Sequence, residues 1–313
     1  MTDPGLTDVK SDNAVTRRER ERQSAYRQDV LGLPAGGRTD RGQYRELGNY
    51  LPADDTRHNF LSAEAGDYAA GRVPQVRDEG GTLEQTRLFT NMLSSMPLAF
   101  SVFGHLRAHP AAALAVLSEL MGEQLADLVE VSVGDRVIHG IECEWAPRQE
   151  DHLDDRTAFD AVVAARTVGG RSLLIAVEVK YVDTFSRDPH PDQNDHKYEG
   201  ACGEFGMADG AFQALKGHET RQLLRNVLLS ESVRRGGRSG SAQFDDAVTI
   251  VFARDDDVAA KSAVSTVDQY RGSMRTRVAF VGHGDFAEAA ARIDELAPWA
   301  RSFRRRYVGE VAG

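Results

Sequence analysis

The chain has 313 residues, 41% of them apolar, two cysteines and a formal charge of −10, so it can bury a sizeable core but is no disulfide-stapled scaffold and carries no CxxC metal knuckle. Cys143 and Cys202 read as free thiols in a reducing, cytoplasmic setting, and no run approaches the roughly 18 apolar residues of a membrane span. The acidity excludes a general nucleic-acid coat protein, because affinity for phosphate polymers rests on positive charge, though not an enzyme with local basic patches.

In chain order, residues 1–81 are rich in Arg, Asp, Gly and Pro and read as a polar, loosely packed N-terminal arm, with one charged stretch, Arg17 to Leu31, spaced as a short exposed helix. Residues 82–313 read as the folded domain. From Thr82 apolar residues recur at Leu88, Phe89, Met92, Leu93, Met96, Phe100 and Phe103, which predicts an amphipathic helix opened by a Thr82–Gln85 capping box and kinked at Pro97. A second helix is expected from Pro110 to Leu128. The stretch ending at Pro147 alternates as one or two strands around Gly134-Asp135. Two strands then flank Gly169-Gly170. A polar loop and a helix through Gln222 and Asn226 follow, then strand, helix, strand and terminal helix. This order predicts an α/β fold with a central mixed β-sheet flanked by helices.

The Gly-Gly hairpin carries charge where burial is expected. A turn centred on Gly169 and Gly170 sets Asp160 opposite Val179, and a one-residue offset sets it across from Glu178 or Lys180. Side chains alternate along a strand, so Glu178 and Lys180 share a face that Asp160 can join. Two carboxylates about 4 Å apart at an effective dielectric near 20 repel by roughly 4 kcal/mol. Lys180 offsets part of this; a hard divalent cation, Mg²⁺ or Mn²⁺, offsets it better and brings water and phosphate oxygens with it.

Asp160, a turn, and Glu178-Val179-Lys180 ending an apolar strand resemble the PD-(D/E)XK nuclease superfamily, as do the surrounding stretches "NMLSSMPLAFSVFG", "CEWAP", "FDAVV", "IAVEVKY" and "QLLRNVLL". Phe159, where that pattern has proline, is a departure. The resemblance implies a restriction-endonuclease-like fold, a Mg²⁺-dependent phosphodiesterase, metal ligation by Asp160 and Glu178, and a water-assisting role for Lys180. It implies a DNA substrate, with RNA an open alternative, and a homodimer suits cutting of both strands. The competing function is a catalytically inactive module of the same fold that binds nucleic acid or a protein partner. A nucleotide-dependent small-molecule enzyme is disfavoured by the lack of GxGxxG or GxxxxGK[ST] loops.

Each further candidate has an ordinary reading beside the functional one. Asp160, Glu178 and Lys180 would otherwise be a surface ion-pair cluster of small energetic weight. Glu144 is a third metal carboxylate if its strand neighbours the hairpin, or else a solvated strand residue. Glu84, near the start of the first long helix, has a similar claim to be a further carboxylate, but helix dipole and capping already explain it. Gln222, Arg225 and Asn226 either reach the metal site or substrate, or form a plain polar helix face. A zinc site from His190, His196, Cys202 and His218 lacks a recognised spacing. Of the basic clusters, Arg17, Arg18, Arg20 and Arg22 alternate with acids and read as solvated, whereas Arg234, Arg235, Arg238 and Arg304, Arg305, Arg306 are candidate phosphate tracks.

Overall fold

The Gly-Gly reversal joins the two strands at the middle of the fold in the computed structural model, which describes residues 4–40, 42–53, 57–185 and 191–309. Six strands form the central sheet: β1 Leu125–Leu128, β2 Ile141–Trp145, β3 Phe159–Thr167, β4 Ser172–Val179, β5 Asp246–Ala253 and β6 Thr276–Gly282. The order is β6-β5-β4-β3-β1, with β2 also paired to β3. β3 runs antiparallel to β1, β2 and β4, while β4, β5 and β6 are parallel. The expected mixed sheet is therefore present, and its parallel part is closed by helical crossovers, as parallel pairing requires.

Eight helices are used below: α1 Ala14–Tyr26, α2 Ala63–Asp78, α3 Pro110–Met121, α4 Pro191–Phe205, α5 Arg221–Arg235, α6 Val258–Gln269, α7 His283–Ala291 and α8 Ala297–Phe303. Strand alternation splits the core into two layers. Leu173, Ile175, Val177 and Val179 pack with Phe100, Leu117, Phe286 and Phe303 on one face. Leu174 and Ala176 pack with Tyr198, Leu224, Val227 and Val264 on the other. Glu178 continues the second series by parity and so faces α5. No helix among the described residues is long and apolar enough to cross a membrane.

Several expectations need correction. The helix expected from Thr82 is broken: Gln85–Phe89 is a short helix capped by Glu84, whose carboxylate accepts from the Thr86 and Arg87 amides, not by Thr82. Asn91 interrupts the backbone by bridging to Tyr50 and accepting the Leu93 amide. Helix resumes at Ser95 under a Ser94 cap. Pro97 thus sits in a first turn, where a missing N–H is tolerated. α3 stops at Gly122 in the left-handed region, φ 63°, so Leu125 and Leu128 belong to β1.

The N-terminal segment is not loosely packed. In α1, Glu19, Arg20 and Gln23 are buried, and Gln23 donates to the Tyr181 hydroxyl at 2.7 Å and to the Arg306 carbonyl at 3.0 Å. A hairpin, Gly36–Asp40 with Gln43–Leu47, lies in the same segment. Two presumed phosphate-track arginines are interior: Arg306 is fully buried on Gln23 and Asn59, and Arg234 is paired with Glu231 at 2.6 Å. Arg20, expected to be solvated, is buried against Asp12.

Candidate active site

Three acids form a row across adjacent strands. Cys143 pairs with Ala161 and Trp145 with Phe159, which sets Glu144 across from Asp160. On the other side the pairing runs to Ala161 with Val177, which sets Asp160 beside Glu178. The one-residue offset, not Val179, is the register found. The Val179 amide is nonetheless used: it donates to Asp160 Oδ2 at 2.6 Å and pins that carboxylate at the sheet end.

Glu178 and Lys180 are buried, at 4% and 6% exposure. Lys180 Nζ lies 2.7 Å from Glu178 Oε1 and donates to Gln222 Oε1 at 3.1 Å, above the Phe185 ring at 5.0 Å. Gln222 Nε2 donates to Glu178 Oε1 at 2.6 Å, and Asn226 Nδ2 donates to Glu178 Oε2 at 2.5 Å. The i, i+4 spacing on α5 brings both amides to one carboxylate. Gln222 and Asn226 therefore face the sheet and are no solvated polar face. Arg225 departs from the site: it makes a two-pronged contact to Asp155 at 2.9 Å on each oxygen, which Tyr198 and Thr157 also join.

Two acids of the row, Asp160 and Glu144, resist ionisation. Desolvation, then the charges of Glu178 and Glu144, push the Asp160 carboxyl well above its ordinary range, with Lys180 and the Val179 amide pulling the other way. Desolvation followed by Glu178 pushes Glu144 up to about 7, against Arg72 and Arg87. Burial works against the Lys180 ammonium, but Glu178 and Asp160 outweigh it and raise its pKa, so the amine stays charged.

Glu144 has a left-handed backbone, φ 50°, a conformation that side chains other than glycine adopt at a cost. It is held there by Arg72 of α2, which is buried and donates to the carbonyls of Cys143 at 3.1 Å and Glu144 at 3.0 Å. Sequence reading missed Arg72; an arginine within a small-residue helix was the only signal. Glu144 opens onto a cavity of about 620 Å³ that Arg136, Arg148 and Arg156 also line.

Among the described residues, no three or more His, Cys, Asp or Glu side chains are arranged to enclose a metal ion. His190 lies outside the described residues; His196 and Cys202 sit on α4, and His218 precedes α5. The row of acids still suits a hard divalent cation, which takes one or two carboxylates and completes its shell with water and substrate oxygens. Two carboxyls poised to shed protons once a cation approaches, and the buried Asn226 Oδ1 without a hydrogen-bond partner among the described residues, are the donor chemistry such an ion uses.

No curated protein and no solved structure matches the chain. A family model for the PD-(D/E)XK nuclease superfamily matches residues 10–309, taking in α1, the early hairpin and the whole sheet. The chain belongs to the PD-(D/E)XK nuclease superfamily.

Proposed function

We propose that this protein is a metal-dependent nuclease that hydrolyses phosphodiester bonds within DNA. The observation that carries this reading is the lateral row Glu144, Asp160, Glu178 with the Lys180 ammonium 2.7 Å from its last member. Asp160, Glu178 and Glu144 would hold Mg²⁺ or Mn²⁺, which when bound polarises a phosphoryl oxygen and lowers the pKa of water. Lys180 stays protonated and is the group that donates to the attacking water or to the charge growing on the phosphoryl oxygens. Gln222 and Asn226 fix the Glu178 carboxylate, so its orientation is set before substrate arrives.

Supercoiled plasmid with Mg²⁺ or Mn²⁺ tests the reading: wild type nicks it, EDTA stops nicking, and Asp160→Asn nicks it far more slowly. Internal cutting is the reading preferred, and nicking of a closed circle, which has no ends to enter, would establish it. A cytoplasmic location and a homodimer belong to the same reading, and light scattering on the purified protein checks the second.

One observation favours another reading. Both Glu178 oxygens already accept donors from Lys180, Gln222 and Asn226, an arrangement equally suited to an inactive module that binds nucleic acid or a protein partner. DNA binding without nicking in either metal would establish it.

A further inference from the structure

A cavity of about 450 Å³ lies between α1, the early hairpin and the segment after Lys180. Four arginines line it, Arg20, Arg38, Arg45 and Arg87, against two aspartates, Asp40 and Asp183. Asp12 neutralises Arg20 at 2.6 Å, so the local excess of positive charge, on a chain of net charge −10, comes from Arg38, Arg45 and Arg87. Its floor is built: Arg20 and Asn49 are 7% and 1% exposed, hydrogen-bonded to each other, and Asn49 is fixed in turn to Asn91 at 2.8 Å.

On the rim, Arg45 donates to the Asp8 carbonyl at 2.9 Å. Arg38 and Arg45 are direct cross-strand partners on the hairpin, and both are exposed. Like charges placed so are mutually destabilising, and an anion between them removes the repulsion. Arg87 connects this rim to the acids: it is 3.9 Å from Asp183, three residues beyond Lys180, and its charge acts on Glu144.

We propose that this cavity is a phosphate subsite, in which Arg38, Arg45 and Arg87 hold a backbone phosphate of a nucleic acid beside the one to be cut. The subsite rests on the nuclease reading for its substrate. Two arginines presented side by side offer the paired N–H donors that phosphate oxygens accept, and Asp183 in the lining ties the cavity to the segment that follows Lys180.

The test uses the full chain as wild type, Arg38→Ala/Arg45→Ala and Arg38→Lys/Arg45→Lys. Each is melted in rising inorganic phosphate, with chloride holding ionic strength constant, and each is titrated with a fluorescein-labelled duplex in EDTA over a salt series. Phosphate is expected to raise the Tm of wild type and not of the alanine variant. Duplex affinity is expected to fall on the order of tenfold, the slope of log Kobs against log salt to shrink by about 1 to 2, and the lysine variant to recover the slope. An equal phosphate response in all three, no duplex binding by wild type, or an unchanged salt slope overturns the nucleic-acid subsite; where the slope is unchanged but the phosphate response is lost, a free-anion site takes its place. Plasmid nicking separates the two readings. Wild type that nicks while the alanine variant keeps its slope removes the subsite alone, and wild type that never nicks while the slope falls removes hydrolysis and keeps the subsite.

Discussion

The Glu178 carboxylate and the Lys180 ammonium lie 2.7 Å apart at the end of one strand, both inside the protein. Taking away one partner of a buried pair leaves an uncompensated charge, at a cost of roughly 3–5 kcal/mol. Lys180→Ala should therefore lose both nicking and thermal stability, which makes it a poor probe of chemistry alone. Asp160→Asn is the cleaner change, since its amide oxygen can still accept the Val179 N–H. Its nicking rate should fall on the order of 10²-fold or more with a Tm within a few degrees of wild type, read by plasmid assay and calorimetry.

Glu144 combines a strained backbone with a carboxylate in the acid row. Glu144→Gly should relieve the positive-φ strain and stabilise the protein by about 1 kcal/mol, while Mn²⁺ affinity by titration calorimetry drops. A lower melting temperature for this variant would contradict the strain; an unchanged Mn²⁺ affinity would remove Glu144 from the metal set.

Asn226→Ala strips Glu178 Oε2 of its α5 donor in a buried setting. The expected penalty is about 1–3 kcal/mol, larger than for Gln222→Ala, because Gln222 keeps partial exposure. Combining either with Glu178→Gln in a double-mutant cycle should show coupling above roughly 0.5 kcal/mol; additive losses would mean that these amides do not hold the carboxylate.

His283 is fully buried among Phe252, Phe303 and Tyr181, and burial, then Arg254, lower its pKa to about 3. With an unfolded value of 6.5, folded and unfolded states are both neutral at this ring above that pH, and stability is full there. As pH falls from 6.5 towards 3 the unfolded chain takes a proton that the folded chain refuses, so stability is lost. His283→Phe should flatten the acid limb of Tm against pH over this window; an unaltered limb would assign it to other groups.

The hairpin and its charges are legible because unbroken apolar runs, a Gly-Gly turn and acids at the strand ends are all local signals. What lay across the sheet was half legible: Glu144 was named, but its place beside Asp160 depends on β2 pairing with β3, which no local pattern encodes. The break at Asn91 hid behind an apolar period that continues from Phe89 through Met92 and Leu93 to Met96. The early hairpin escaped because its strands are mostly exposed and show no apolar alternation. In α1, charges at helical spacing look solvated, yet Glu19 is met by Tyr181, 162 positions away, and its neighbour Gln23 by Tyr181 and Arg306, 158 and 283 positions away.

Tyr181 follows Lys180 but turns to the opposite layer, where its hydroxyl meets Gln23 and Glu19, and Gln23 in turn accepts from Arg306 at 3.1 Å. A recombinant fragment trimmed to begin at residue 82 would keep every acid of the row yet strip the neighbouring tyrosine and the distant guanidinium of their shared companions. Expression designs for this protein should retain α1, since its Glu19 and Gln23 meet Tyr181, the residue after the lysine, and Gln23 meets Arg306 as well.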